Sequence, residues 1–342
     1  MSSIASPATA HARFTISLRE LIINYGILAL LLGLIVFFSF AQPAFFRVNN
    51  IFSILQAVSI TALLGVGVTV TLIAGGFDLS VGGLSAFVQM AAAYVLIVLN
   101  GSTGVAIAAC LGIGLAVGLL NATLIVKLGI PDLLATLGML FLLAGLQLIP
   151  TGGRSIAPGM TLLNGSAAEG SFTEGFYVLG RHRFWDVVPV PVVMLAVIAV
   201  VLWFVMDFTR FGRIFYAVGG NELAARLAGA PTRLYRVLAY VISSVIASIG
   251  GILLAAKLGR GDVSAGNGLM LDAVAAALIG YAVLGANRPN VFGTIVGAIF
   301  VGVLLNGLTM LNAPYYLQDF VKGAVLIGAL TVTFGLARAR GA

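Results

Sequence analysis

Residues 210–236 read RFGRIFYAVGGNELAARLAGAPTRLYR and lie between two long apolar runs. Arg210, Arg213, Arg226, Arg233 and Arg236 place a large share of the chain's 18 basic residues on this one connection. Short loops rich in Lys and Arg stay on the inner side of a membrane during insertion, so the stretch is expected in the cytoplasm. Its middle, Asn221 to Gly229, reads as a short helix: Ala224, Ala225, Leu227 and Ala228 favour helix, Gly219-Gly220 precede it, and Gly229 with Pro231 stop it. A helix of about two turns is marginal alone in water, so it needs a surface to lie against.

The rest of the composition agrees with a membrane setting. Of 342 residues 61% are hydrophobic and 8% charged, with a mean hydropathy of +1.13, whereas soluble domains carry about 25% charged residues. The net charge of +7 does not point to nucleic acid, because the cations sit at the ends of apolar segments rather than along one stripe. Cys110, the only cysteine, falls in an apolar run and reads as packing. The apolar run after Arg13 and Arg19 extends from Leu21 to Phe38, too long for a cleaved leader, and is expected as a retained first span.

Hydropathy marks about ten spans, near 21–41, 51–74, 81–99, 103–127, 131–150, 187–206, 236–257, 269–286, 291–311 and 314–336. The expected fold class is therefore an all-α integral membrane protein with one transmembrane domain over 21–336. Residues 1–20 and 337–342 are expected in the cytoplasm with the 207–235 loop, and the polar stretch 151–186 in the periplasm.

Short matches recur at nearly one offset. Asp78-x-Ser80-x-Gly82 resembles Asp262-x-Ser264-x-Gly266 at 184 residues, Leu119-Leu120-Asn121 matches Leu304-Leu305-Asn306 at 185, and Pro131 and Pro314 are 183 apart. Two inverted halves of about five spans, 21–150 and 187–336, follow from this order. Recurrent helix-capping chemistry, which draws Asp and Ser to such turns, is the competing cause.

Gly75, Gly76 and Gly82 flank Asp78 and Ser80, whose oxygens suit the free N–H groups of the helix beginning near Val81. An intramembrane carboxylate can instead be a cation or proton site. Gln56, Gln89, Asn121, Thr136, Gln147, Asn306 and Gln318 are uncharged polar residues within the spans. Singly they suit helix bridging, and as a set they suit a path for a neutral, hydroxyl-rich solute. The sequence has no phosphate-binding loop, only His11 and His182 as histidines, and no nucleophile elbow, so the chain is not expected to be an enzyme by itself or to bind a metal.

The run Gly219-Gly220-Asn221-Glu222-Leu223-Ala224-Ala225-Arg226-Leu227-Ala228-Gly229 resembles the coupling loop of bacterial ABC sugar-import permeases of the ribose/xylose/arabinose type. The resemblance extends to Gly75-Gly76-Phe77-Asp78-Leu79-Ser80-Val81-Gly82, to Lys127-Leu128-Gly129-Ile130-Pro131 with Ala135-Thr136-Leu137-Gly138, and to Asn306-Gly307-Leu308, covering roughly 45–335. It implies an inner-membrane permease, paired with a second copy or homologue, fed by a periplasmic solute-binding protein. A separate cytoplasmic ATPase would bind ATP and Mg and seat the 221–229 helix, with Glu222 and Arg226 transmitting its closure. Tyr281-Ala282-Val283-Leu284-Gly285-Ala286-Asn287-Arg288-Pro289-Asn290 stands where many relatives have a Gly/Ser-rich turn. A permease for a branched-chain amino acid, an autoinducer or a nucleoside, and an ion-coupled secondary transporter, are the alternative readings.

Overall fold

The computed structural model describes residues 18–266, 268–282 and 288–338. Val283 to Asn287 of the divergent turn, Asn267, the first 17 residues and the last four lie outside the described residues. Each of the ten apolar runs holds a helix: α1 (Leu18–Ala41), α2 (Val48–Ile73), α3 (Ser80–Ala93), α4 (Thr103–Ala122), α5 (Asp132–Leu146), α7 (Val190–Phe208), α10 (Thr232–Leu258), α11 (Leu269–Ala282), α12 (Val291–Met310) and α13 (Tyr315–Arg338). Between them lie α6 (Glu174–Arg181), α8 (Arg210–Gly220), α9 (Glu222–Leu227) and a two-residue hairpin, Arg183–Phe184 with Val188–Pro189. Seven helices among the described residues are long and apolar enough to cross a membrane; the apolar segments Tyr25–Ala41 and Leu269–Tyr281 are shorter.

Capping residues set the boundaries. Ser102, Thr173, Thr209, Asn221 and Asn290 each accept a backbone N–H near the start of α4, α6, α8, α9 and α12. Pro131, Pro189 and Pro231 immediately precede α5, α7 and α10, where a missing N–H costs nothing. α3 and α4 each finish in a π-helical turn, Tyr94–Val98 and Thr123–Lys127.

At the centre α2 and α10 pack on each other; α2 also packs on α11 and α12, and α10 on α3 and α4. Their most apolar windows are 61% and 67% buried, against 28% for the spans that begin at Thr103 and Asp132, which puts α4 and α5 at the periphery. Close approach comes from small residues. A Cβ on Gly118 would lie 2.8 Å from the Val241 Cα, and one on Gly114 would strike Ser248, so Gly114-x-x-x-Gly118 meets Ser244-x-x-x-Ser248 without bulk between them.

The polar stretch 151–186 is seated on the bundle rather than extended from it. Ile156 bridges Gly261, Gly170 N–H donates to the Ile97 carbonyl, and α6 buries Phe176 while packing on α10 and α7.

Candidate functional site

The 207–235 stretch folds into two helices, of which only the second follows from its sequence. α8 turns Gly212, Phe215 and Val218 inward, and Phe215 meets Tyr235 edge-on with ring centroids 5.1 Å apart. Its C-terminal end rests on the turn after α2. A Cβ on Gly219 would collide with the Ile73 carbonyl oxygen, and one on Gly75, whose φ is +78°, would lie 3.1 Å from the Gly219 Cα. Backbone therefore touches backbone where α8 meets the turn that leads to Asp78.

α9 is closed at both ends. Asn221 Oδ1 accepts the Ala224 N–H at 2.9 Å. Gly229, at φ +86°, sends its N–H to Arg226, and Ala230 sends its own to Ala225, the pairing of a Schellman end. One face is held inward: Ala225 is buried, and Glu222 pairs with Arg236 of α10 at 3.3 Å. The other face carries Leu223 and Leu227, 57% and 80% exposed, with Ala224 and Arg226 exposed beside them. Arg226 stays exposed, while Ala225 faces the chain's own body.

Next to this contact lies a buried polar chain joining three elements. Asp78 is fully buried. Its Oδ1 accepts the Ser80 N–H at 2.9 Å and the Ser80 hydroxyl at 2.6 Å, and its Oδ2 accepts the Ser243 hydroxyl of α10 at 2.9 Å. Asn121 Nδ2 of α4 donates to Ser80 Oγ at 2.9 Å. Asp78 thus takes the N–H of the first residue of α3 across a two-residue turn and also ties α3 to α10. Gly76 and Gly82 are tight as well: a Cβ on Gly82 would meet Met270, and one on Gly76 the Tyr240 side chain. Asp132 Oδ2 accepts the Phe77 N–H at 2.6 Å, adding α5 to the same junction.

The second turn repeats the local bonds in a different setting. Asp262 Oδ1 accepts from Ser264 N at 3.0 Å and Ser264 Oγ at 2.8 Å, but its Oδ2 pairs with Arg260 at 2.8 Å and its side chain is partly exposed. The two Ser264 bonds, and then the Arg260 guanidinium, hold the Asp262 carboxyl below the usual carboxylate range.

The polar residues proposed for a solute path are dispersed. Gln56 donates to the Gly180 carbonyl at 2.9 Å, Gln89 to that of Arg260 at 3.1 Å and Thr136 to that of Asp132 at 2.8 Å. Gln147 and Gln318 donate to the carbonyls of Val263 and Ala313. Asn306 pairs with Asn50, a neighbour the sequence did not single out, at 3.1 Å. Gln89 Oε1 and Asn121 Oδ1 are buried without a partner among the described residues. Of this set Asn306 lines a cavity of about 320 Å³ between α2, α11 and α12 that also exposes Thr61, Asp272 and Thr309, and Gln147 lines a separate cavity of about 200 Å³ beside α3 and α4.

Asp272 belongs to a pair that sequence reading passed over. Its Oδ1 lies 2.8 Å from Lys322 Nζ of α13, with only 14% and 18% of the two side chains exposed, and Asp319 sits 3.4 Å from the same ammonium. A charge in each of two apolar helices is the signal that finds it, since such charges occur in pairs. Among the described residues no group of three or more His, Cys, Asp or Glu is placed to hold a metal ion.

The family model described as the branched-chain amino acid transport system permease component matches residues 50–330. The ribose import permease protein of Escherichia coli (strain K12) is 36% identical over 303 residues, covering 88% of this chain and 91% of that protein. The xylose transport system permease protein of Haemophilus influenzae is 30% identical over 90% of this chain and 95% of its own length. The D-allose transport system permease protein of E. coli (strain K12) is 29% identical over 90% and 91%. No solved structure matches the chain.

Proposed function

From its membership of the branched-chain amino acid transport system permease family, to which this chain belongs, we propose that it is the membrane-spanning subunit of an ATP-binding cassette importer for a monosaccharide-like solute. It is a transport component rather than an enzyme. Relatives named for ribose, xylose and allose, similar over nearly their whole lengths, favour a sugar over an amino acid.

The observation that carries the ATP-driven reading is α9. It is capped by Asn221 and held to the bundle through Glu222 and Ala225, yet it presents Leu223 and Leu227 to the outside. Apolar side chains displayed on a rigid, well-capped helix suit a protein groove. In this reading the groove belongs to a cytoplasmic ATPase that holds ATP and Mg, and movement of α9 passes through Gly219 and Gly75 to the Asp78 junction. Residues 151–186, on the opposite end of the bundle, then face a periplasmic binding protein. The bilayer is the bacterial inner membrane, and a second permease copy or homologue completes the channel.

Two inverted halves fit the same scheme. A shift of 184 residues carries α2 onto α10, and carries α3, α4 and α5 close to α11, α12 and α13. The packing supports it reciprocally, since α2 lies on α11 and α12 while α10 lies on α3 and α4. These four pairs take up eight helices, and α1 and α7 are the other two of the ten crossings in this reading.

The test is uptake of labelled ribose, xylose and allose by cells that lack their own permeases and carry this chain with its ATPase and binding protein. Uptake of at least one sugar that stops when the ATPase is inactivated is the expected result. Uptake indifferent to the ATPase and abolished by collapse of the proton gradient would make it an ion-coupled carrier.

A further inference from the structure

We propose that the groove between the end of α4 and the start of α10 binds one anionic phospholipid, with its phosphate held between Lys127 and Arg233. The groove is about 360 Å³ and is lined by Leu119, Ala122, Thr123, Val126, Lys127, Arg233 and Val237. It has a structural origin. α4 and α10 are in backbone contact at Gly118 and Val241, and the π-helical turn Thr123–Lys127 then widens the end of α4.

Charge and depth identify the occupant. Lys127 and Arg233 are both exposed, and neither has an ion pair or hydrogen bond among the described residues, although Glu222, Asp207, Asp262 and Asp272 all find cations elsewhere. The spans Thr103–Lys127 and Thr232–Leu258 end and begin here, so both cations stand at headgroup level. The wall below them is apolar and open to the hydrocarbon side, with Leu119 47% exposed. A free anion would make no use of that wall, whereas an acyl chain would lie along Leu119, Val126 and Val237. The Thr123 hydroxyl is engaged with the Leu119 carbonyl at 2.7 Å, so recognition rests on the two cations and reads headgroup charge rather than headgroup identity.

Native mass spectrometry of the full chain, purified in detergent with equal amounts of phosphatidylglycerol and phosphatidylcholine, tests the site. The wild-type chain is expected to retain phosphatidylglycerol preferentially, with retention roughly tenfold weaker or more in Lys127→Gln/Arg233→Gln. Arg154→Gln/Arg183→Gln removes the same charge at the opposite end and should change nothing. Val237→Trp keeps both cations but fills the groove, and should also lose the lipid. A photoactivatable phosphatidylglycerol should label the wild-type chain at 119–127 and 233–237, which requires no variant to fold. Unchanged retention in the groove variants, equal retention of phosphatidylcholine, displacement by millimolar inorganic phosphate, or labelling confined to other segments would each overturn the proposal.

Discussion

Replacing Asp272 with Asn should destabilise the bundle by leaving the Lys322 ammonium without its nearest counter-charge. The pair is 2.8 Å apart and mostly buried. Removing one member of a buried pair costs about 3–5 kcal/mol, because the remaining charge is still desolvated. Asp319 offsets little of this: it lies farther away, at 3.4 Å, and is 73% exposed, so its contribution is at most about 1 kcal/mol. The net loss is about 3 kcal/mol, roughly two factors of ten in the unfolding equilibrium. Removing both charges, in Asp272→Asn/Lys322→Met, leaves no stranded ion and should recover most of that loss. Unfolding of the purified protein by graded denaturing detergent, over the wild type, both single variants and the double variant, measures the coupling. If the losses of the two single variants simply add in the double variant, the pair contributes no coupling and this reasoning fails.

Asp78→Asn retains an acceptor for the Ser80 N–H and should keep substantial sugar uptake, whereas Asp78→Leu strands the Ser80 and Ser243 donors and should lose folding or transport; complete loss in a well-expressed Asn variant would favour an ion site. Gly219→Val has no room against the Ile73 carbonyl and should reduce uptake at least tenfold, while Gly220→Ala, with nothing near its Cβ, should be mild; equal uptake by the two variants would contradict the contact.

The long helices were legible because each occupies a continuous apolar run, and most observed ends fall within a few residues of the expected ones. α9 was legible from its own punctuation, Asn221 before it and Gly229 with Pro231 after it. α8 was not, since Gly212, Gly219 and Gly220 argue against a helix locally; they are tolerated because α8 packs on the bundle, and a Cβ at Gly212 or Gly219 would meet backbone. Glu222 and Arg236 lie 14 residues apart, and only the path of α10 brings them together. Asp78 with Ser243 and Asp272 with Lys322 are likewise contacts across the fold, 165 and 50 residues apart, which no local pattern encodes.

The proposed seat of an ATPase on α9 is tested most directly by co-purification. Leu223→Asp/Leu227→Asp places two charges on the exposed face without touching Asn221, Glu222 or Ala225, so the chain should reach the membrane at normal abundance. With tagged permease and its ATPase expressed together, the account predicts that the double variant loses the ATPase and sugar uptake together. Recovery of the ATPase in wild-type amounts, with uptake intact, would contradict it.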